Sequence, residues 1–309
     1  MNTLFFFLRK LRLSAFLPRK FTARLTNILL PLDPIDSKDY SKLNYPTLKA
    51  EYLGLSYNLD LNEHVEFRAY FDGVYDYRTV FLMRRILSHI ETPVYMDVGA
   101  NIGNHLLPVA RLAKQVIAFE PNPIMIRKLE ANLERNNIEN VSLFKCGISN
   151  KDEELPFYSN AANPGAGTFV TQECAPVTPA TANILTLRRG DAVVEEMGLT
   201  KLSFVKIDVE GYEYEVIVGL RKTLELFRPI VMFEFMGKES HKKFESLKTL
   251  YGLFPDGYHV CALGSSIQSQ YFNSNAYDKP KFVLYEKDYS NLIAFPQEKY
   301  SMVFGKSGQ

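Results

Sequence analysis

The chain has 309 residues, 46% hydrophobic and 23% charged, an ordinary globular composition with room for one large domain or two small ones. Its 36 Lys and Arg against 35 Asp and Glu leave a net charge of +1, so the basic excess of a nucleic-acid binder is absent. Three widely spaced cysteines, Cys146, Cys174 and Cys261, suit neither a disulfide framework nor a zinc site and point to a reducing, cytoplasmic setting.

The N-terminus is basic. Arg9, Lys10, Arg12, Arg19, Lys20 and Arg24 precede the first acid, Asp33. Leu4, Leu8, Leu11 and Ala15 fall on one helical face. Over residues 1–30 this pattern fits a helix lying peripherally on an anionic membrane, a packing helix with a solvated basic side, or an acid-poor transit peptide. No run reaches the roughly 18 to 20 apolar residues that span a bilayer. Residues 31–65 read as a turn-rich connector, after which "VFLMRRILSHI" predicts a helix.

From Val94 strands and helices alternate. "VYMDVGA", "VIAFE", "NVSLFKCGI", "LSFVKIDVE" and "PIVMFEF" read as strands. "HLLPVARLA", "PIMIRKLEANLERNN", "YEVIVGLRKTLELF" and "SHKKFESLKTLYG" read as helices, and "YHVCAL" and "KFVLYEK" as the last strands. Alternation of this kind predicts a doubly wound, mostly parallel α/β sheet, with apolar strands covered on both faces. The stretch from Asp152 to Gly190 breaks the rhythm and reads as an insertion, with short strands at "LPFY" and "GTFV".

In such folds ligands sit beyond the carboxyl ends of the strands, where "DVGANIG" lies. Gly99 and Gly103 let a ligand approach the backbone, and Asn101 tolerates the left-handed conformation. A dinucleotide fingerprint fails here, because two of its three glycine places hold Asn101 and Asn104. Asp97 suits a ligand bearing an amine and a sulfonium, as S-adenosylmethionine does, better than a diphosphate. Glu120, 17 residues beyond Gly103, is placed to accept hydrogen bonds from a ribose diol.

Taken in order, "VYMDVGANIGNH", "AFEPNP", "KIDVEGYEYEVIVG" and "RPIVMFEF" resemble an FkbM-type S-adenosylmethionine-dependent methyltransferase over roughly residues 70–295. The resemblance implies a class I methyltransferase (Rossmann-like) fold with a seven-stranded sheet and helices on both faces. It makes residues 61–309 the methyltransferase domain, preceded by an extension and connector over 1–60. It also implies O-methylation of a hydroxyl on a sugar, glycan or natural product. Asp97, Gly99, Asn101, Gly103 and Glu120 become cofactor residues, and "FKCGISN" borders the adenine, with Cys146, Ile148 and Ser149 as candidates. Asp208 lies beside the transferred methyl group, touching cofactor and acceptor. With Glu210 it is a candidate to position the acceptor hydroxyl or take its proton, and Glu234 is assigned to the acceptor pocket. For Glu213 a helix-dipole role suffices, and for Glu234 a structural acid is the alternative. Three carboxylates also admit Mg²⁺, but no ligand spacing dedicates them to a metal, and none is assigned. "FRAYFDGVYDYR" and "NPGAGTF" are expected to line the acceptor pocket. Rival functions are a nicotinamide-dependent oxidoreductase and a non-catalytic adaptor at a membrane.

Overall fold

A computed structural model describes residues 47–160, 163–168, 182–235, 247–263 and 290–304. The basic segment 1–30 and the strand expected at "KFVLYEK" lie outside them. Among the described residues no helix is long and apolar enough to cross a membrane.

The connector expected over 31–65 is structured from Thr47 onward. Strands β1 (Thr47–Tyr52) and β2 (Leu55–Asp60) form an antiparallel hairpin. Alternate residues Leu55, Tyr57 and Leu59 are buried, so period-two patterning drives this hairpin into the core. Helices α1 (His64–Asp72) and α2 (Tyr77–Ser88) follow. α2 buries Thr79, Val80, Leu82, Met83, Ile86 and Leu87, a helical stripe against the sheet.

The main sheet contains β3 (Val94–Val98), β4 (Gln115–Phe119), β5 (Val141–Phe144), β10 (Phe204–Ile207), β11 (Ile230–Phe235), β12 (Tyr258–Leu263) and β13 (Ser290–Pro296). Its spatial order is β12-β13-β11-β10-β3-β4-β5. Five strands pair in parallel from β5 to β11, while β13 runs antiparallel to both its neighbours. This is the expected seven-stranded, mostly parallel class I sheet, with the order reversing beside β3. Its edge hairpin closes with β13, a strand the periodicity did not single out.

Two apolar clusters cover the sheet. Tyr95, Val116, Ala118, Phe204 and Met232 face the one that holds the hairpin, α1 and α2. Val94, Met96, Ile117, Phe119, Val205 and Phe233 face the other, built with α5 (Gly190–Glu196), α6 (Glu213–Gly219) and α7 (Arg221–Phe227). The remaining helices include α3 (Leu107–Ala110), one turn long, and α4 (Pro123–Arg135), whose N-cap Asn122 accepts a hydrogen bond from the Ile124 N–H at 2.9 Å.

The expected insertion is present as a second sheet. β6 (Gly147–Ser149), β7 (Glu153–Asn160), β8 (Asn163–Thr168) and β9 (Ala182–Arg189) lie in the order β6-β9-β7-β8. "NVSLFKCGI" is therefore two strands in two sheets. "YEVIVGLRKTLELF" is likewise two helices, parted at Leu220.

Candidate active site

Strand alternation places Tyr95 and Asp97 of β3, Phe204 and Lys206 of β10, and Met232 and Glu234 of β11 on one face of the sheet. Lys206 sits between Asp97 and Met232 in register. The polar members of this set gather at the carboxyl edge, on the side covered by α2.

The turn after β3 is built by its own chain. Gly99 and Ala100 both donate to the Phe119 carbonyl at 3.0 Å. Gly99 has φ +86°, and a Cβ there would lie 1.9 Å from the Asp208 carbonyl oxygen. Gly103 has φ +87°, and a Cβ there would meet Leu129 at 2.8 Å and Leu107 at 2.9 Å. Ligand approach was the expected reason for these glycines. The structure supplies an internal one: left-handed backbone, with the β10 loop and helix side chains filling the space. Asn101 is left-handed at φ 51°, and its side chain accepts from the Ile102 N–H at 2.7 Å.

Glu120 follows β4 and is 6% exposed. One carboxylate oxygen accepts from the Asn101 N–H and the other from the Asn122 N–H, both at 2.8 Å. It thereby ties the glycine turn to the start of α4. Burial pushes its pKa up to about 7, although both amides favour the charged form. Asp97 is also buried, and its Oδ2 has no hydrogen-bond partner among the described residues. Burial raises its pKa to about 7 against the pull of Lys206.

Asp208 is held by Lys206, whose ammonium donates to Oδ2 at 3.0 Å, and its side chain keeps 25% exposure. Burial alone would raise its pKa; the Lys206 ammonium outweighs that and holds it at about 2. Lys206, fully buried, stays protonated because Asp208, Glu234 and Asp97 surround it. This lysine escaped the sequence reading. The signal was a charged residue in the middle of the apolar run "FVKI", where an unpaired ammonium would be expensive.

One oxygen from each of Asp208, Glu210 and Glu234 lies within 4.8 Å of the others. The structure thus brings together the three acids singled out in the sequence, at a spacing that also admits a cation. Burial and the neighbouring carboxylates drive the Glu234 pKa well upward. Glu213 turns back instead of serving only the helix dipole, its Oε1 accepting from Val209 N–H at 3.1 Å and Gly211 N–H at 3.3 Å. The loop is pinned outside as well, since Tyr212 OH and Ser149 Oγ each donate to Glu153 at 2.9 Å.

His105, just after the glycine turn, also reaches the acids. It is 5% exposed, with Nδ1 at 3.7 Å from Asp208 and Nε2 at 4.0 Å from Asp76. Burial and Lys206 push its pKa down to about 4, so the ring is neutral. Of "FRAYFDGVYDYR", Phe67, Tyr70 and Phe71 belong to the core and not to a pocket. Only its end reaches the site, where the Tyr75 ring lies 6.0 Å from His105. Cys146 is half-buried beyond β5, and Ile148 is 2% exposed within the second cluster. Phe144, at the end of β5, stacks on Phe119 at 5.1 Å.

Residues 97–259, which hold the glycine turn, Glu120 and the acidic cluster, match the model of the methyltransferase FkbM domain. The chain is 34% identical over 137 residues to the hexuronic acid methyltransferase AglP of Haloferax volcanii, covering 44% of this chain and 53% of that protein. It is 25% identical over 193 residues to the 2-O-methyltransferase NoeI of Sinorhizobium fredii, covering 56% and 76%. The match thus spans about half the length of AglP. A crystal structure of methyltransferase FkbM from Methylobacillus flagellatus superposes with a TM-score of 0.42 at 16% identity, over 65% of this chain and 43% of that one. Since the family match takes in more than half of the chain, the protein belongs to the FkbM methyltransferase family.

Proposed function

We propose that this protein methylates a hydroxyl of a sugar, glycan or natural product, using S-adenosylmethionine. The observation that carries the reading is the charge of the strand-end edge. Asp97, Glu120, Asp208 and Glu210 converge there beside Glu234, whose carboxyl is held toward the neutral form by burial and its acidic neighbours, and Lys206 is their buried counter-charge. Such an edge attracts a cofactor carrying an ammonium and a sulfonium and repels the diphosphate of a nicotinamide dinucleotide.

The residues fit that cofactor. The Glu120 carboxylate, fixed by two backbone amides, would accept the ribose hydroxyls. Asp97, with its unpartnered buried oxygen, would take a donor from the methionine end. Gly99, Asn101 and Gly103 shape the turn between them. Phe144 and Cys146 would border the adenine, with Ile148 behind them in the core. When bound, the cofactor supplies a methyl group activated by a positively charged sulfur.

The acceptor side is the work of Asp208, Glu210 and Glu234. At a pKa of about 2, Asp208 is too weak a base to remove a hydroxyl proton outright. It is suited to accept that hydroxyl's hydrogen bond and aim its oxygen, and alignment of this kind can be worth roughly 7–11 kcal/mol of barrier. The name of NoeI, a 2-O-methyltransferase, supports transfer to oxygen, and that of AglP, a hexuronic acid methyltransferase, supports a sugar-derived acceptor.

Isothermal titration with S-adenosylhomocysteine, S-adenosylmethionine and NAD tests the cofactor. Binding of the first two and not of NAD is expected. Binding of NAD alone would defeat the reading.

A further inference from the structure

Lys206 is among the largest fully buried side chains of the protein, and the other three residues of β10 are apolar. Its ammonium lies on the same sheet face as Asp97 and Glu234 and donates to Asp208 at 3.0 Å. Stability does not explain such an arrangement. Replacing a buried ion pair by apolar residues of similar volume is often neutral or favourable. The charge arithmetic of the site does offer an account. As the methyl group leaves, the carbon–sulfur electron pair returns to sulfur and the sulfonium becomes a neutral thioether. A carbon–oxygen bond forms, and the hydroxyl proton passes to solvent. Positive charge at sulfur is therefore lost along the reaction. Excess carboxylate nearby holds the charged ground state more tightly than the transition state, which raises the barrier.

Resting on the cofactor reading above, we propose that Lys206 is a positioning residue that sets the charge at the methyl-transfer end of the pocket. It anchors Asp208 through Oδ2 and offsets the surrounding carboxylates, so that the sulfonium is held without being trapped. His105 and Tyr75, packed against the same acids from the α2 side, contribute no positive charge. The His105 ring is neutral, and the hydroxyl of half-buried Tyr75 is held protonated. Lys206 is therefore the cation that faces the acids from within the sheet.

The test compares S-adenosylmethionine with S-adenosylhomocysteine, which differ by the methyl group and the charge on sulfur. Both are titrated calorimetrically into wild type, Lys206→Met and Asp208→Asn, at pH 8 in EDTA. In Lys206→Met the preference for S-adenosylmethionine should rise on the order of tenfold, the effect of one unit charge in a partly shielded site. In Asp208→Asn it should fall. General loosening of the fold would weaken both ligands alike and leave the ratio unmoved. An unchanged ratio in folded Lys206→Met overturns the proposal. If that variant does not fold, an unchanged or increased ratio in Asp208→Asn overturns it instead. Wild type that binds neither ligand would sink the cofactor reading itself, a result distinct from binding both without a shift.

Discussion

Gly99 carries a constraint that a turn motif alone does not reveal. Its left-handed φ disfavours any side chain, and a Cβ would intrude on the Asp208 carbonyl at 1.9 Å. Gly99→Ala should therefore destabilise the protein by about 3 kcal/mol or more, through strain and backbone displacement together. Urea denaturation reads this directly, and near-wild-type stability would mean the two loops separate easily. Glu120 makes a different demand. Both its oxygens accept from backbone N–H groups, so Glu120→Gln must turn an NH₂ group toward one donor. Hydrogen bonds to a charged group are each worth about 1.5–3 kcal/mol. S-adenosylhomocysteine affinity should fall at least about tenfold, with a lower melting temperature. Unaltered affinity in calorimetry would remove Glu120 from the cofactor residues.

Among the elements, those with two buried faces were the most legible in the sequence. β3, β4, β10 and β11 announce themselves as continuous apolar runs, and the acids that end them led to the site. Elements defined by partners were harder to read. The β1–β2 hairpin alternates over only six residues a strand, and its turn is Leu53-Gly54, not an Asn-Gly pair. β13 comes just after "KFVLYEK", the run whose own apolar pattern marks it as the last strand. Lys206 was hidden by the rule that a buried strand is apolar. His105 was hidden because its neighbours, Asp76 and Asp208, are distant in sequence. The hairpin turn also allows a prediction. Leu53 has φ 54° and Gly54 φ 72°, the pair of positive angles that Asn-Gly favours. Leu53→Asn should stabilise the protein by about 0.5–1 kcal/mol, read as a higher urea midpoint with unchanged slope. A lower midpoint would show that Leu53 gives more to packing than its backbone angle costs.

For the whole molecule, the buried carboxylates set the response to pH. Asp97, Glu120 and Glu213 are each raised to about 7 by burial. The folded state therefore holds their protons more tightly than the unfolded state, and stability falls as pH rises from the ordinary carboxylate range through about 7. His105, lowered to about 4, acts in the opposite sense below its ordinary value of 6.5 and adds nothing above it. The unliganded protein should consequently melt at a lower temperature at pH 8 than at pH 6. S-adenosylhomocysteine should reduce that difference, because hydroxyl donors to Glu120 favour its ionised form, and its affinity should rise toward pH 8. A melting temperature that climbs over this interval would contradict the burial argument. The close approach of Gly99 to the Asp208 carbonyl reaches further still. Two loops that touch backbone to backbone cannot yield independently, so ligands resting on each of them draw on one shared store of motion. Whatever factor an acceptor adds to the affinity for S-adenosylhomocysteine, S-adenosylhomocysteine must add to the affinity for that acceptor. A common factor above one would show the two loops closing as a single jaw, and a factor of one would show two separate fingers.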